Sequence, residues 1–366
     1  MLVRDALGTT PFVPPPYPYD RLDGIKSIAA QHTNGGINLS IGAPSDPPAQ
    51  SVIDAMSTSG AERGYPPSIG SEAYRSAGSR WLNDLIGTDL SADDVRATIG
   101  SKEFVAGLPH WLKLRRPDLD TVLYPAVSYP SYAMGATLGH CRSVAVPVDE
   151  RWRLRLDAID PADAARALCL WINSPGNPTG AVEDLKAAAG WGRANNVPVF
   201  SDECYVEFTW SSPPASILQH GFDGVIAVHS LSKRSNLAGA RAGFYAGDPE
   251  LLNYLGELRK HAGFIVPGPM QHAAVAAFGD SGHVAAQRDI YRTRMESMIE
   301  LMRRRIGVEV PMPEGGFYLW AQAPDGDAWT FAELLATELG IITSPGEFYG
   351  DASPGYVRIA MVTDVD

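Results

Sequence analysis

Between about residues 95 and 245, short β-rich runs (TVLYPAV, SVAVPV, ALCLWINSP, VPVFSDECY and GVIAVHSLS) alternate with segments of helical character. Strands joined by helix-length connections pair in parallel, because a parallel pair needs a long crossover while a hairpin does not. The chain therefore reads as α/β, with a mainly parallel central sheet sandwiched by helices. Such sheets collect ligands in the loops beyond the strand C-terminal ends. WINSPGNPTG, SDECY and HSLSK each leave an apolar run and enter a polar turn, so these three loops are expected to converge.

The last third has a different pattern. QRDIYRTRMESMIELMRRR places Ile290, Met295, Met298, Ile299 and Met302 near helical spacing, as in one long amphipathic helix leaving the sheet domain. GFYLWAQA and YVRIAMV read as strands around the helix of TFAELLATELG, giving a smaller α+β domain. The proline-rich PFVPPPYPYD is unsuited to regular helix and is expected to run over the surface as an arm. Residues 1–36 are thus assigned to an N-terminal arm and part of the small domain, 37–280 to the large ligand-binding domain, and 281–366 to the C-terminal small domain. There is no internal repeat.

With 366 residues and 45% hydrophobic content the chain can bury a large core, and its formal charge of -12 argues against nucleic acid as a partner. No run approaches the roughly 20 apolar residues of a membrane helix, and MLVRDALGTTPFVPPPYPYD lacks an apolar signal core, so a cytoplasmic protein with no membrane partner is expected. Cys141, Cys169 and Cys204 are scattered without CxxC spacing, which suggests neither a disulfide framework nor a metal site.

One lysine stands out against this scaffold. Lys233, in HSLSKRSNLAGARAGF, follows an apolar strand and has hydroxyls at Ser230 and Ser232 and a cation at Arg241 nearby. A desolvated lysine beside another cation loses basicity, and only the neutral amine attacks a carbonyl. If the carbonyl belongs to pyridoxal phosphate (PLP), further groups are required, and each has a candidate. The pyridine nitrogen needs a buried carboxylate, supplied by Asp202, whose other use would be a turn or helix cap. Asn177 and Tyr205 suit the ring hydroxyl, although Asn177 also fits a turn before Pro178. The phosphate needs donors at a helix start, where Ser101 and Lys102 follow a glycine turn and Phe104, Leu108 and Leu112 continue at helical spacing. Tyr129 is the candidate to stack on the ring, or else a core aromatic.

Tyr65, the GSKE turn, Tyr129, NSPGNPTG, SDECY, SLSK with Arg241, and Arg358 together resemble the class I/II aminotransferases of PLP fold type I. That resemblance implies a two-domain subunit, a homodimer with the cofactor at the subunit interface, and exchange of amino and oxo acids. It implies that Lys233 attaches the cofactor and shuttles the proton, that Asp202 faces the pyridine nitrogen, and that Asn177 and Tyr205 face the ring oxygen. Ser230 and Arg241 would hold the phosphate, with Tyr65 reaching it from the neighbouring subunit. Arg358, with the backbone of Gly42 nearby, would grip the substrate α-carboxylate. The planar guanidinium suits that role, and a solvent-facing strand position is its alternative.

TIGSKEFVAGLP, SDECYVEFTW, RKHAGFIVPGPMQ and PGEFYG further resemble the actinobacterial branch of N-succinyldiaminopimelate aminotransferases. This implies that glutamate donates an amino group to N-succinyl-2-amino-6-oxoheptanedioate in lysine and diaminopimelate synthesis. A substrate of that kind brings a second carboxylate, for which Lys102, Arg259 and Lys260 are the candidate cations, Lys102 first. Family members continue into a final helix beyond the point matching MVTDVD. The same scaffold also serves aspartate, aromatic and alanine aminotransferases, C–S β-lyases, and ligand-sensing regulators. A regulator would carry a basic DNA-binding module, and none precedes the fold pattern from residue 37.

Overall fold

The computed structural model describes residues 12–33 and 35–365. The part of the expected arm at residues 1–11 lies outside the described residues.

The first strand, β1 (Ile37–Asn38), pairs in parallel with residues Ile341 and Ile342 near the C-terminus. The large sheet is built from β2 (Val95–Thr98), β3 (Thr121–Pro125), β4 (Arg142–Val146), β5 (Ala167–Asn173), β6 (Val199–Asp202), β7 (Val225–Ser230) and β8 (Gly243–Gly247), in the order β2-β8-β7-β6-β5-β3-β4. From β4 to β7 all neighbours are parallel, whereas β8 runs antiparallel to both β7 and β2. All five sheet strands expected from the sequence are present. The additional two, β2 and β8, close one edge. Every residue of β5, β6 and β7 is buried, as a sheet covered on both faces requires.

The smaller sheet has β9 (Tyr318–Gln322), β11 (Ser344–Pro345) and β12 (Tyr356–Ala360), in the order β11-β12-β9, while β10 (Ile341–Ile342) is the partner of β1. The helix Ala328–Leu339 packs on it and shares one apolar core with the long helix Gly282–Leu301. On the long helix the core face carries Val284, Tyr291, Met295 and Met298, and Met302 follows in a terminal π turn. The expected stripe is right for the three methionines but shifted at its start. Ile290 is 39% exposed, and the adjacent Tyr291 is buried in its place. Burial of each such side chain contributes about 1.5–3 kcal/mol. Leu22, Ile25 and Ala29 from the N-terminal region join the same core.

The described part of the arm is largely exposed, with Phe12 at 61% and Val13 at 77%, and has no α-helix before Asp23. Pro18–Leu22 is a 3-10 turn, tolerated because Pro18 occupies the first position, where a missing N–H is not needed. No helix among the described residues is long and apolar enough to cross a membrane.

Candidate active site

The C-terminal ends of β5, β6 and β7 open onto one cavity of about 410 Å³. Asn173 reaches it from the last position of β5 and Asn177 from the loop that follows, Asp202, Cys204 and Tyr205 from the end of β6 and just beyond it, and Ser230, Ser232 and Lys233 from the last position of β7 and the turn after it. The three loops converge as the strand pattern predicts. Ser101, Lys102, Tyr129, Arg241, Gly42 and Arg358 line the same space. Of the residues picked out from the sequence, Tyr65, at 97% exposure, stands away from it, as do Arg259 and Lys260.

Local folding explains the placement. The Ser230 hydroxyl caps the short helix Leu231–Arg234 by accepting from the Ser232 N–H, which fixes the turn that carries Lys233. Lys233 donates to the Gly42 carbonyl. Burial, followed by the charge of Arg358, lowers the Lys233 pKa from the usual lysine value to about 8. A fraction of this amine is therefore neutral near pH 7.

Asp202 is 6% exposed. Its carboxylate accepts from the Tyr132 hydroxyl at 3.1 Å and the Cys204 N–H at 3.3 Å. Burial raises its pKa, while the bonds to Cys204 and Tyr132 and the charge of Lys233 pull the other way. Tyr205 shares a 2.7 Å hydrogen bond with the Tyr318 hydroxyl.

At the opposite wall the helix Ser101–Arg115 starts with Gly100 as its N-cap at φ 68°, without a side-chain cap. Its first N–H groups therefore remain available. Arg241 adopts the left-handed conformation (φ 52°), and donates to the Ala238 carbonyl at 2.9 Å, the Ile99 carbonyl at 3.2 Å and the Ser232 hydroxyl at 3.4 Å. A side chain at Gly100 would collide with that guanidinium.

Arg358 is only 2% exposed and donates to Asn177 Oδ1 at 2.8 Å and to the Ser40 carbonyl. The solvent-facing alternative is excluded. Among the described residues no carboxylate pairs with Lys102, Lys233, Arg241 or Arg358.

The other two candidate cations fare differently. Arg259 is committed to Glu103 through contacts of 2.6 and 2.9 Å, and Lys260 is an exposed neighbour of Glu257 at 3.7 Å. Only Lys102 lines the cavity, with its Nζ 5.1 Å from the Tyr17 ring centroid.

Sequence reasoning missed Tyr17, Tyr19, Tyr132 and Tyr318. The first two are in the arm expected on the surface, yet they line the cavity. Tyr132 sits in the YPSY segment already singled out for Tyr129 and could have been found there. Tyr318 carried no such signal.

A family model described as aminotransferase class I and II matches residues 34–366. The chain belongs to the class I and II aminotransferases. It is 38% identical over 354 residues to the 4-dedimethylamino-4-oxo-anhydrotetracycline transaminase OxyQ of Streptomyces rimosus, covering 94% of both chains. An LL-diaminopimelate aminotransferase of Aquifex aeolicus is 33% identical over 368 residues, 96% of this chain and 94% of the other. Among solved structures, a probable N-succinyldiaminopimelate aminotransferase from Thermus thermophilus matches with a TM-score of 0.85 and 30% identity, covering 94% of this chain and 95% of that one. The fold is thus PLP fold type I. Aminotransferases of this family use PLP and act on amino and oxo acids, and so does this one.

Proposed function

We propose that the enzyme exchanges an amino group between glutamate and N-succinyl-2-amino-6-oxoheptanedioate, yielding N-succinyl-LL-2,6-diaminoheptanedioate and 2-oxoglutarate in lysine and diaminopimelate synthesis. The observation that carries this reading is that, of the four cavity cations no carboxylate of the described residues pairs with, Arg358 and Lys102 are left for the substrate once Lys233 and Arg241 are given to the cofactor. Two unmatched cations in one cavity suit an acid with two carboxylates. Arg358 takes the α-carboxylate, with Gly42 beside it, and Lys102 takes the distal one.

The cavity fits PLP on its own chemistry. The Gly100 turn leaves room where a Cβ would intrude, and Ser101, Ser230 and Arg241 offer donors to a phosphate around it. Asp202, raised by burial, regains a partner if a pyridinium faces it. Asn177 and Tyr205 serve the ring oxygen, and Tyr129 the ring face. When bound through Lys233, PLP supplies the electron sink that makes a Cα proton removable.

This chain's residues do the rest. The guanidinium fork of Arg358 fixes the orientation of the substrate at its carboxylate. Lys233, its basicity lowered by burial and by the charge of Arg358, accepts the proton from Cα and returns it. A cytoplasmic homodimer belongs to the same proposal, with Tyr65, exposed in its own chain, reaching the phosphate of the neighbouring subunit.

A second reading, transamination of LL-diaminopimelate or of an oxo-anhydrotetracycline, is favoured by the Aquifex aeolicus and Streptomyces rimosus relatives. The discriminating experiment is a visible spectrum of the purified holoenzyme, taken after glutamate and then after each oxo compound in a panel. Return of the starting spectrum with the succinylated oxo acid supports the first reading. Return with other acceptors alone transfers the assignment to them.

A further inference from the structure

Arg358 occupies an aromatic chamber. Its guanidinium carbon is 4.3 Å from the Tyr318 ring centroid and 4.9 Å from that of Tyr349, and its Nε has no partner. The remaining wall is Tyr19, whose hydroxyl lies 3.5 Å from Arg358 Nη2 and 3.2 Å from the Tyr349 hydroxyl. Arginine only donates, so the Tyr19 oxygen receives the N–H. The phenolic proton is then directed to a third group. With Tyr349 as donor in the hydroxyl pair, the proton of Tyr19 is free for an acceptor lying against the guanidinium.

Tyr19 is held there from both sides. Arg21, two residues on, pairs with Glu347 at 2.6 Å and lies over the rings of Trp329 (5.1 Å) and Phe348 (5.6 Å). Tyr19 meets Phe348 edge-on at 5.6 Å. On the other side, the Tyr17 ring is 5.4 Å from that of Tyr19 and 5.1 Å from Lys102 Nζ, at the start of the large-domain helix. The segment from Tyr17 to Arg21 therefore spans the cavity mouth between the two lobes.

We infer that Tyr19 is a substrate-binding residue, its hydroxyl donating to the carboxylate held by Arg358, and that Arg21 and Glu347 keep it in place. The inference rests on the assignment of Arg358 to a substrate carboxylate. It gives the arm a chemical task in both half-reactions, because donor and acceptor each present an α-carboxylate.

The test uses holoenzyme with 2-oxoglutarate and no amino donor, a combination that binds without turnover, and measures the dissociation constant by calorimetry. Tyr19→Phe removes one hydrogen bond to a charged group and should weaken binding about tenfold. Arg21→Met, which only loosens the holder, should weaken it about twofold to threefold, in keeping with a half-exposed ion pair. In turnover, Tyr19→Phe should raise KM for glutamate and for the oxo acid by about the same factor. Its kcat should stay within twofold, with cofactor content and melting temperature unchanged. Weakened binding by Arg358→Lys but not by Tyr19→Phe would overturn the role of Tyr19 while leaving that of Arg358. Unchanged binding in both variants would remove the carboxylate assignment itself. A fall in kcat and cofactor content together in Tyr19→Phe would make the residue structural and refute the inference.

Discussion

Gly100→Ala tests the phosphate cradle at one atom. Gly100 sits at φ 68° and ψ 175°, a region open essentially to glycine, so the substitution costs about 1–3 kcal/mol of folding stability. That cost falls on apo and holo forms alike and leaves cofactor affinity untouched. The second effect does not cancel. The three atoms nearest to an added Cβ all belong to the Arg241 guanidinium, which must withdraw and give up its 3.2 Å bond to the Ile99 carbonyl. A charge-assisted hydrogen bond to an anion contributes about 1.5–3 kcal/mol, so the PLP dissociation constant should rise about 10- to 100-fold. Pyridoxal lacks the phosphate and should bind the variant within about threefold of the parent. The assay is titration of apoprotein with each compound, followed by absorbance. Equal weakening of both compounds, or of neither, would refute the phosphate cradle at Gly100 and Arg241.

Other outcomes follow from the same geometry. Lys233→Ala should abolish turnover while circular dichroism and melting temperature stay close to the parent; a folded, active variant would remove Lys233 from the mechanism. The neutral amine is the nucleophile and the Lys233 pKa is about 8, so the rate of PLP attachment to apoprotein should rise with pH and level off above about 8. A flat stopped-flow profile from pH 6 to 9 would contradict this. Buried Glu203, raised by burial to about 7, is a carboxyl whose neutral form the fold prefers. Stability from that preference is complete below the unfolded value of about 4.3 and is lost as pH rises through about 7. Glu203→Gln should therefore gain stability relative to the parent between pH 5 and pH 8 in denaturant melts. A constant difference across that range would count against a neutral Glu203.

The residues legible in the sequence share a local signature. Lys233, Asp202 and Asn177 each stand at the end of an apolar run, and strand periodicity alone sends such ends to one edge of a parallel sheet. The two strands at the antiparallel side of the sheet are less visible for equally local reasons. β8 begins and ends in glycine, and β2 is the four-residue VRAT inside a polar segment, so neither reads as a β-rich run. On the long helix a one-residue error exchanged Ile290 for Tyr291, because an aromatic with a polar tip is ambiguous until its neighbours are known. Tyr132 and Tyr318 act through partners 70 and 113 positions away, Asp202 and Tyr205. No spacing rule reaches that far. In the arm, proline excludes regular helix but not a 3-10 turn, and nothing in its composition tells that Tyr17 and Tyr19 border the cavity.

The electrostatics of the cavity run against those of the chain. The protein carries a formal charge of -12, yet the titratable lining includes Lys102, Lys233, Arg241 and Arg358 against the single carboxylate of Asp202. Like charges sharing a desolvated space raise one another's free energy, and the lowering of Lys233 by Arg358 and Arg241 is a direct sign of it. Anions entering this space relieve a repulsion already present in the folded protein, so binding and stability are linked with the same sign. The negative exterior repels anions in general, which leaves recognition to the interior. A ligand there must bring enough negative charge in the right places to satisfy several fixed cations at once. A phosphorylated cofactor together with a carboxylate-bearing amino acid meets that demand, whereas a neutral amine or ketone does not. Acceptors without a carboxylate would forgo a charge-assisted contact to Arg358, about 1.5–3 kcal/mol. On this physical ground, acids rank above simple ketones as substrates of this enzyme.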